Sequence, residues 1–93
     1  MQLSYTYILT NKYRTTFYIG VIANLSKRLY EHYEGVASVY TKKYNIKDLI
    51  YYEEFTDINQ AIAREKQLKN WHKEWKLNLI RKFNPTLKTL SYQ

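Results

Sequence analysis

The chain has 93 residues, with 15 Lys and Arg against 8 Asp and Glu, a formal net charge of +7 and a pI near 9.6. A chain of this length suits one modest core, and a single domain spanning residues 1–93 is expected rather than two. The absence of cysteine excludes a disulfide framework and thiolate metal sites, and it fits a protein of the reducing cytoplasm.

No run reaches transmembrane length, and the first residues lack the basic-then-apolar pattern of a signal peptide. The positive charge points to a nucleic-acid partner. There are 11 Tyr, 3 Phe and 2 Trp. Most of the tyrosines and both tryptophans are expected to fill the core, although aromatic rings among Lys and Arg also suit nucleic acid.

Residues 5–10 alternate Tyr5, Tyr7 and Leu9 with Thr6, Ile8 and Thr10, a half-buried strand. Asn11 opens a polar loop over 11–14, and residues 15–22 return as a second strand. With that loop length Thr10 is expected opposite Thr15, Tyr7 opposite Tyr18 and Tyr5 opposite Gly20. A glycine inside a strand marks a bend or a close approach, here predicted to leave room for a phosphate or a helix.

Asn24 caps a predicted helix over 25–34 whose Leu25, Leu29 and Tyr33 face the core, with Arg28 and His32 stacked on a neighbouring face. Gly35 ends it, and a loop carrying Lys42 and Lys43 follows. A third strand is expected over 48–55. Asp57, with Gln60 three residues on, starts a helix over 58–71 with apolar positions Ile58, Ala61, Ile62 and Leu68. A last helix runs over 73–83 with Trp75, Leu79, Ile80 and Phe83 at helical spacing, and Asn84-Pro85 stops it. The order ββαβαα makes an α+β domain: a small three-stranded antiparallel sheet flanked by about three helices.

Glu65 falls on the apolar stripe of its helix, where an unpaired carboxylate is costly. Its partner is either a basic side chain such as Arg64 or Lys69, or a hard cation held by one or two carboxylates together with water and phosphate oxygens. Arg28 is either a solvated helix charge or a guanidinium fork for a phosphate. His32, one turn on, either meets the same phosphate or is satisfied by a neighbour. Tyr7 and Tyr18 complete the set; a tyrosine, with an ordinary pKa of about 10, needs a nearby cation to act as a base at neutral pH.

"TYI" at 6–8, "YIG" at 18–20, Arg28, "KRLYEH" at 27–32 and "AREKQLK" at 63–69 together resemble the GIY-YIG nuclease domain over residues 5–84. The spelling is closest to small stand-alone bacterial members, often described as relatives of the UvrC excision-repair nuclease subunit. The resemblance implies an endonuclease that hydrolyses DNA phosphodiester bonds, in repair or recombination, with one Mg²⁺ or Mn²⁺. It assigns Tyr7 and Tyr18 to the two motif tyrosines, Arg28 to the catalytic arginine, His32 to the histidine one turn later, and Glu65 to the metal-binding glutamate.

Gly20, Lys42, Lys43 and Lys69, with Lys73 and Lys76, are candidate substrate contacts, the substrate being DNA, branched DNA or RNA. Tyr5-Thr6 replaces the Gly-Ile that opens the family's first motif, and Asn84 matches either a late asparagine of some members or a simple helix stop. The alternative is a module on the same fold that binds DNA or RNA without cutting it; a protein-interaction domain ranks behind both.

Overall fold

The structure is a computed structural model, and it describes residues 3–23 and 43–90. The expected helix over 25–34, with Arg28 and His32, and Lys42 after it, lies outside the described residues. Three strands, β1 (Ser4–Thr10), β2 (Phe17–Ile22) and β3 (Asp48–Phe55), form an antiparallel sheet in the order β2-β1-β3. Two helices follow, α1 (Ile58–Asn70) and α2 (Lys73–Phe83). The α+β class and the three-stranded antiparallel sheet are therefore as expected. Among the described residues no helix is long and apolar enough to cross a membrane.

β1 is the middle strand, and every one of its residues is buried. Its alternation sorts side chains onto two faces. Tyr5, Tyr7 and Leu9 cluster with Ile46 and Leu49 on one face; Ile8 packs on the other with Ile19, Ile50, Leu68 and Ile80, beneath the helices. Fully enclosed aliphatic side chains such as Ile8, Leu68 and Ile80 each contribute about 1.5–3 kcal/mol. Thr6 ties this face to α1, its buried hydroxyl donating to the Ala61 carbonyl at 2.8 Å.

The hairpin register differs from the expected one. Thr10 pairs with Phe17, Leu9 with Tyr18, Tyr7 with Gly20 and Tyr5 with Ile22. The cause is Asn11, whose Oδ1 accepts from the backbone N–H of Thr15 at 2.8 Å and of Thr16 at 3.2 Å, so these two amides belong to the loop. Arg14, at φ 58°, closes the turn. The slip is by an even number of positions, so the same side chains keep the same faces.

β3 carries a bulge between its pairings with Ile8 and Leu9, which leaves Ile50 without a ladder partner. The C-terminal segment satisfies the bulge. Asn84, buried, donates from Nδ2 to the Ile50 carbonyl at 3.0 Å and to the Lys88 carbonyl at 2.8 Å, and Leu90 N–H donates to the Leu49 carbonyl at 2.8 Å. Arg14 clamps the same segment to the hairpin: it donates to Asp48 at 2.6 Å, to the Leu87 carbonyl at 2.9 Å and to Thr89 at 2.9 Å. Arg14 as a clamp and residues 84–90 as a cover for β3 carry no periodic signal in the sequence.

Asp57 caps α1 through the Asn59 amide at 2.9 Å, as its position suggests. The helix stripes are narrower than expected. Ala61, Leu68 and Ile80 are buried, while Ile58, Ile62, Trp75 and Phe83 are exposed. A three-stranded sheet is too narrow to cover a wide apolar face on each of two helices, so only the central positions reach it. Trp75, 54% exposed, is thus not the core residue that its type and spacing predict.

Candidate active site

The β1–β2 register places Tyr7, Tyr18 and Gly20 on the sheet face away from α1. The Tyr7 and Tyr18 rings lie 6.4 Å apart, tilted by 38°. Gly20 has a backbone outside the left-handed region, so its use is steric. A Cβ there would stand 2.6 Å from Tyr7 Cζ and 3.1 Å from Tyr18 Cε1. The space over Gly20 is therefore filled by the Tyr7 phenol, which corrects the expectation that the glycine leaves room for a phosphate or a helix. Tyr7 itself is only 1% exposed, whereas Tyr18 is partly open.

Tyr18 lines a groove of about 310 Å³ with Phe17, Ile19, Lys69 and Lys76. Its walls come from β2, α1 and α2. Lys69 carries the link to Glu65: its Nζ stands 3.3 Å from Glu65 Oε2, one helical turn away. Glu65 follows Ala61 by four residues and precedes Leu68 by three, so its side chain leaves the edge of the buried stripe and is 20% exposed. Of the two basic neighbours considered for it, Lys69 is the partner. With its lysine end open to solvent, an i,i+4 helix pair of this kind contributes only about 0.3–0.5 kcal/mol, so Lys69 is held loosely.

Arg64 is engaged elsewhere. Its guanidinium donates to both Glu53 oxygens at 3.0 and 3.2 Å and lies 5.2 Å from the centre of the Trp71 ring. Tyr51 donates to the same Glu53 carboxylate. Burial, and then the Glu53 carboxylate, push the Tyr51 phenol well above its ordinary range. The hydrogen bond to Glu53 raises Arg64 in turn.

Of the remaining predicted site residues, Lys43 is exposed, with its ammonium 5.5 Å from the Tyr44 ring centre on the segment leading into β3. Its described contact is that ring, not the groove. Arg28, His32 and Lys42 lie outside the described residues. At the edge strand β2, Tyr18 shares the groove with Lys69, which in turn meets Glu65; Tyr7 and Gly20 stay on the sheet face away from α1, and the structure does not bring them to Lys69 or Glu65. Phe17 as a groove wall was missed, because a strand's first residue reveals its neighbours only once the register is known. Among the described residues no three His, Cys, Asp or Glu side chains converge. Glu65 is the carboxylate that Lys69 links to the groove, beside its lining rather than part of it.

A family model described as the GIY-YIG catalytic domain matches residues 3–78, a span that holds both motif tyrosines, Arg28, His32 and Glu65. The chain belongs to the GIY-YIG family. Among the relatives of this GIY-YIG chain, a UPF0213 protein of Staphylococcus saprophyticus is 32% identical over 80 residues, covering 86% of this chain and 96% of its own. A UPF0213 protein of Syntrophus aciditrophicus is 35% identical over 86 residues, covering 91% and 97%. The solution NMR structure of a UPF0213 protein from Bacillus halodurans shares the fold, with a TM-score of 0.52, 24% identity and coverage of 84% of this chain and 82% of that one.

Proposed function

We propose that this GIY-YIG domain is a divalent-metal-dependent endonuclease that hydrolyses DNA phosphodiester bonds, in repair or recombination. The observation that carries the reading is the shared groove: Tyr18, the open one of the two motif tyrosines, lines it with Lys69, and Lys69 meets the half-buried Glu65. A basic groove beside a lone carboxylate suits a phosphodiester and a hard cation, since Mg²⁺ is commonly held by one or two carboxylates with water and phosphate oxygens in its other positions.

In this reading Tyr18 orients the attacking water through its hydroxyl, and Tyr7, packed over Gly20, holds the Tyr18 ring in place. Lys69 and Lys76 balance the charge of the bound backbone. Arg28, on the family pattern, neutralises the non-bridging oxygens as the diester is attacked. Glu65 would hold Mg²⁺ or Mn²⁺, which when bound supplies charge stabilisation to the departing 3′-oxygen. Lys69, only weakly tied and 55% exposed, is free to turn from Glu65 to a phosphate.

That same ion pair favours the second reading, a module that binds DNA or RNA without cleavage, because an ammonium already neutralises Glu65. Supercoiled plasmid, branched DNA and single strands incubated with Mg²⁺, Mn²⁺ or EDTA distinguish the two. Metal-dependent nicking that Glu65→Ala abolishes is expected for the nuclease. Salt-sensitive binding with no cleavage under either metal would establish the module instead.

A further inference from the structure

We propose that the exposed face of α2 bearing Trp75, Asn78 and Lys82 is a stacking subsite for one unpaired nucleotide of the nucleic acid that the Tyr18 groove takes. The inference rests on the nucleic-acid reading of that groove, and it adds a substrate class: strands with at least one unpaired base.

Trp75, Asn78, Leu79 and Lys82 recur at i, i+3, i+4 and i+7, one face of α2, and with Trp71 they line a groove of about 240 Å³. Burying Trp75 would have stabilised the fold, yet it stands 54% exposed. It is also held still. Its ring meets Trp71 edge-to-face at 6.0 Å and 82°, and His72 at 5.2 Å and 87°. Trp71 is fixed in turn by the Arg64 guanidinium, itself clamped to Glu53.

A rigid, exposed indole loses little conformational freedom on stacking with a base. Its neighbours supply the remaining chemistry of a nucleotide: the Asn78 amide can donate to and accept from a base edge, and the Lys82 ammonium suits a phosphate.

The position joins this face to the proposed active site. Lys76 follows Trp75 directly on α2 and lines the Tyr18 groove. Lys73, two residues before Trp75, lies 5.6 Å from the Phe17 ring centre, and Phe17 forms another wall of that groove. A strand leaving the groove past Lys76 therefore reaches Trp75 over a basic surface. The chain's charge of +7 suits a polyanion here better than an apolar protein helix.

The test is fluorescence anisotropy in EDTA, with a labelled single-stranded oligodeoxynucleotide and a blunt duplex of the same length, on the full chain and on Trp75→Ala and Trp75→Phe. Trp75→Ala is expected to weaken single-strand binding about tenfold, within the range for loss of one base–aromatic stack, and to leave duplex binding within about twofold. Trp75→Phe should restore most of the loss. Circular dichroism melts of each variant check that the fold is kept. An equal effect of Trp75→Ala on both ligands, or none on either, overturns the proposal. So does a parent chain that sediments as a dimer and becomes a monomer with Trp75→Ala, which would make the face a self-contact. Because EDTA removes cleavage from the measurement, a chain that never cuts DNA defeats the nuclease reading and leaves this result interpretable.

Discussion

Replacing Gly20 with alanine tests the packing on which the candidate site is built. The added Cβ would sit 2.6 Å from Tyr7 Cζ, against an ordinary carbon–carbon contact of about 3.5–4.0 Å, so the ring must retreat by roughly 1 Å. Tyr7 cannot turn into solvent, since it is 1% exposed and clustered with Tyr5, Leu9, Ile46 and Leu49. Overpacking of this kind costs about 1–3 kcal/mol, and alanine's lower unfolded-state entropy offsets about 0.4–1 kcal/mol of it. For a domain of this size the net loss lowers Tm by roughly 5–10 °C. In a Tyr7→Leu background the clashing ring atoms are gone, and Gly20→Ala should be neutral or stabilising there. A thermal melt of the four proteins gives the coupling directly. If Gly20→Ala melts at or above the parent, or costs the same in both backgrounds, the glycine is not there for Tyr7 and the account of the Tyr7–Tyr18 pair fails. Nicking should fall with Gly20→Ala even well below its melting point, because Tyr18 Cε1 lies 3.1 Å from the same position.

Asn84→Ala removes two bonds donated by Nδ2 and one accepted from Lys88 N–H, leaving the buried bulge carbonyl of Ile50 unpaired. A loss of about 2–3 kcal/mol is expected in urea unfolding, with unchanged nicking per folded molecule; normal stability with lost cleavage would instead place Asn84 in the active site. Tyr51 supplies a pH test. Its folded pKa lies above the unfolded value of about 10, so its contribution to stability is complete below about pH 10 and is lost as pH rises beyond it. Urea melts on the alkaline side should therefore show a shallower decline for Tyr51→Phe than for the parent, and parallel declines would mean that Tyr51 titrates as it does in the unfolded chain.

The faces of the strands were legible because side-chain alternation is local: Tyr7, Tyr18 and Gly20 share a side in the expected register and in the observed one. The register itself was not, since it depends on which amides Asn11 takes from the ladder, a choice made by one side chain folding back on its own loop. Glu65 stood out for a physical reason that survives, a carboxylate at the edge of a buried stripe, but only the folded helix shows that Arg64 turns to Glu53 and leaves it to Lys69.

The helices mark the deeper limit. Periodicity shows that a face is apolar without showing how much of it the sheet can cover. Here three strands cover Ala61, Leu68 and Ile80 and leave Trp75 outside. One spacing pattern therefore encodes both a core and an exposed aromatic surface, and the boundary between them is set by the width of the sheet. That boundary runs along α2, with Ile80 on the core side, Lys76 in the Tyr18 groove and Trp75 beyond it, so the aromatic ring that meets nucleic acid in this reading is one that the core was too small to enclose.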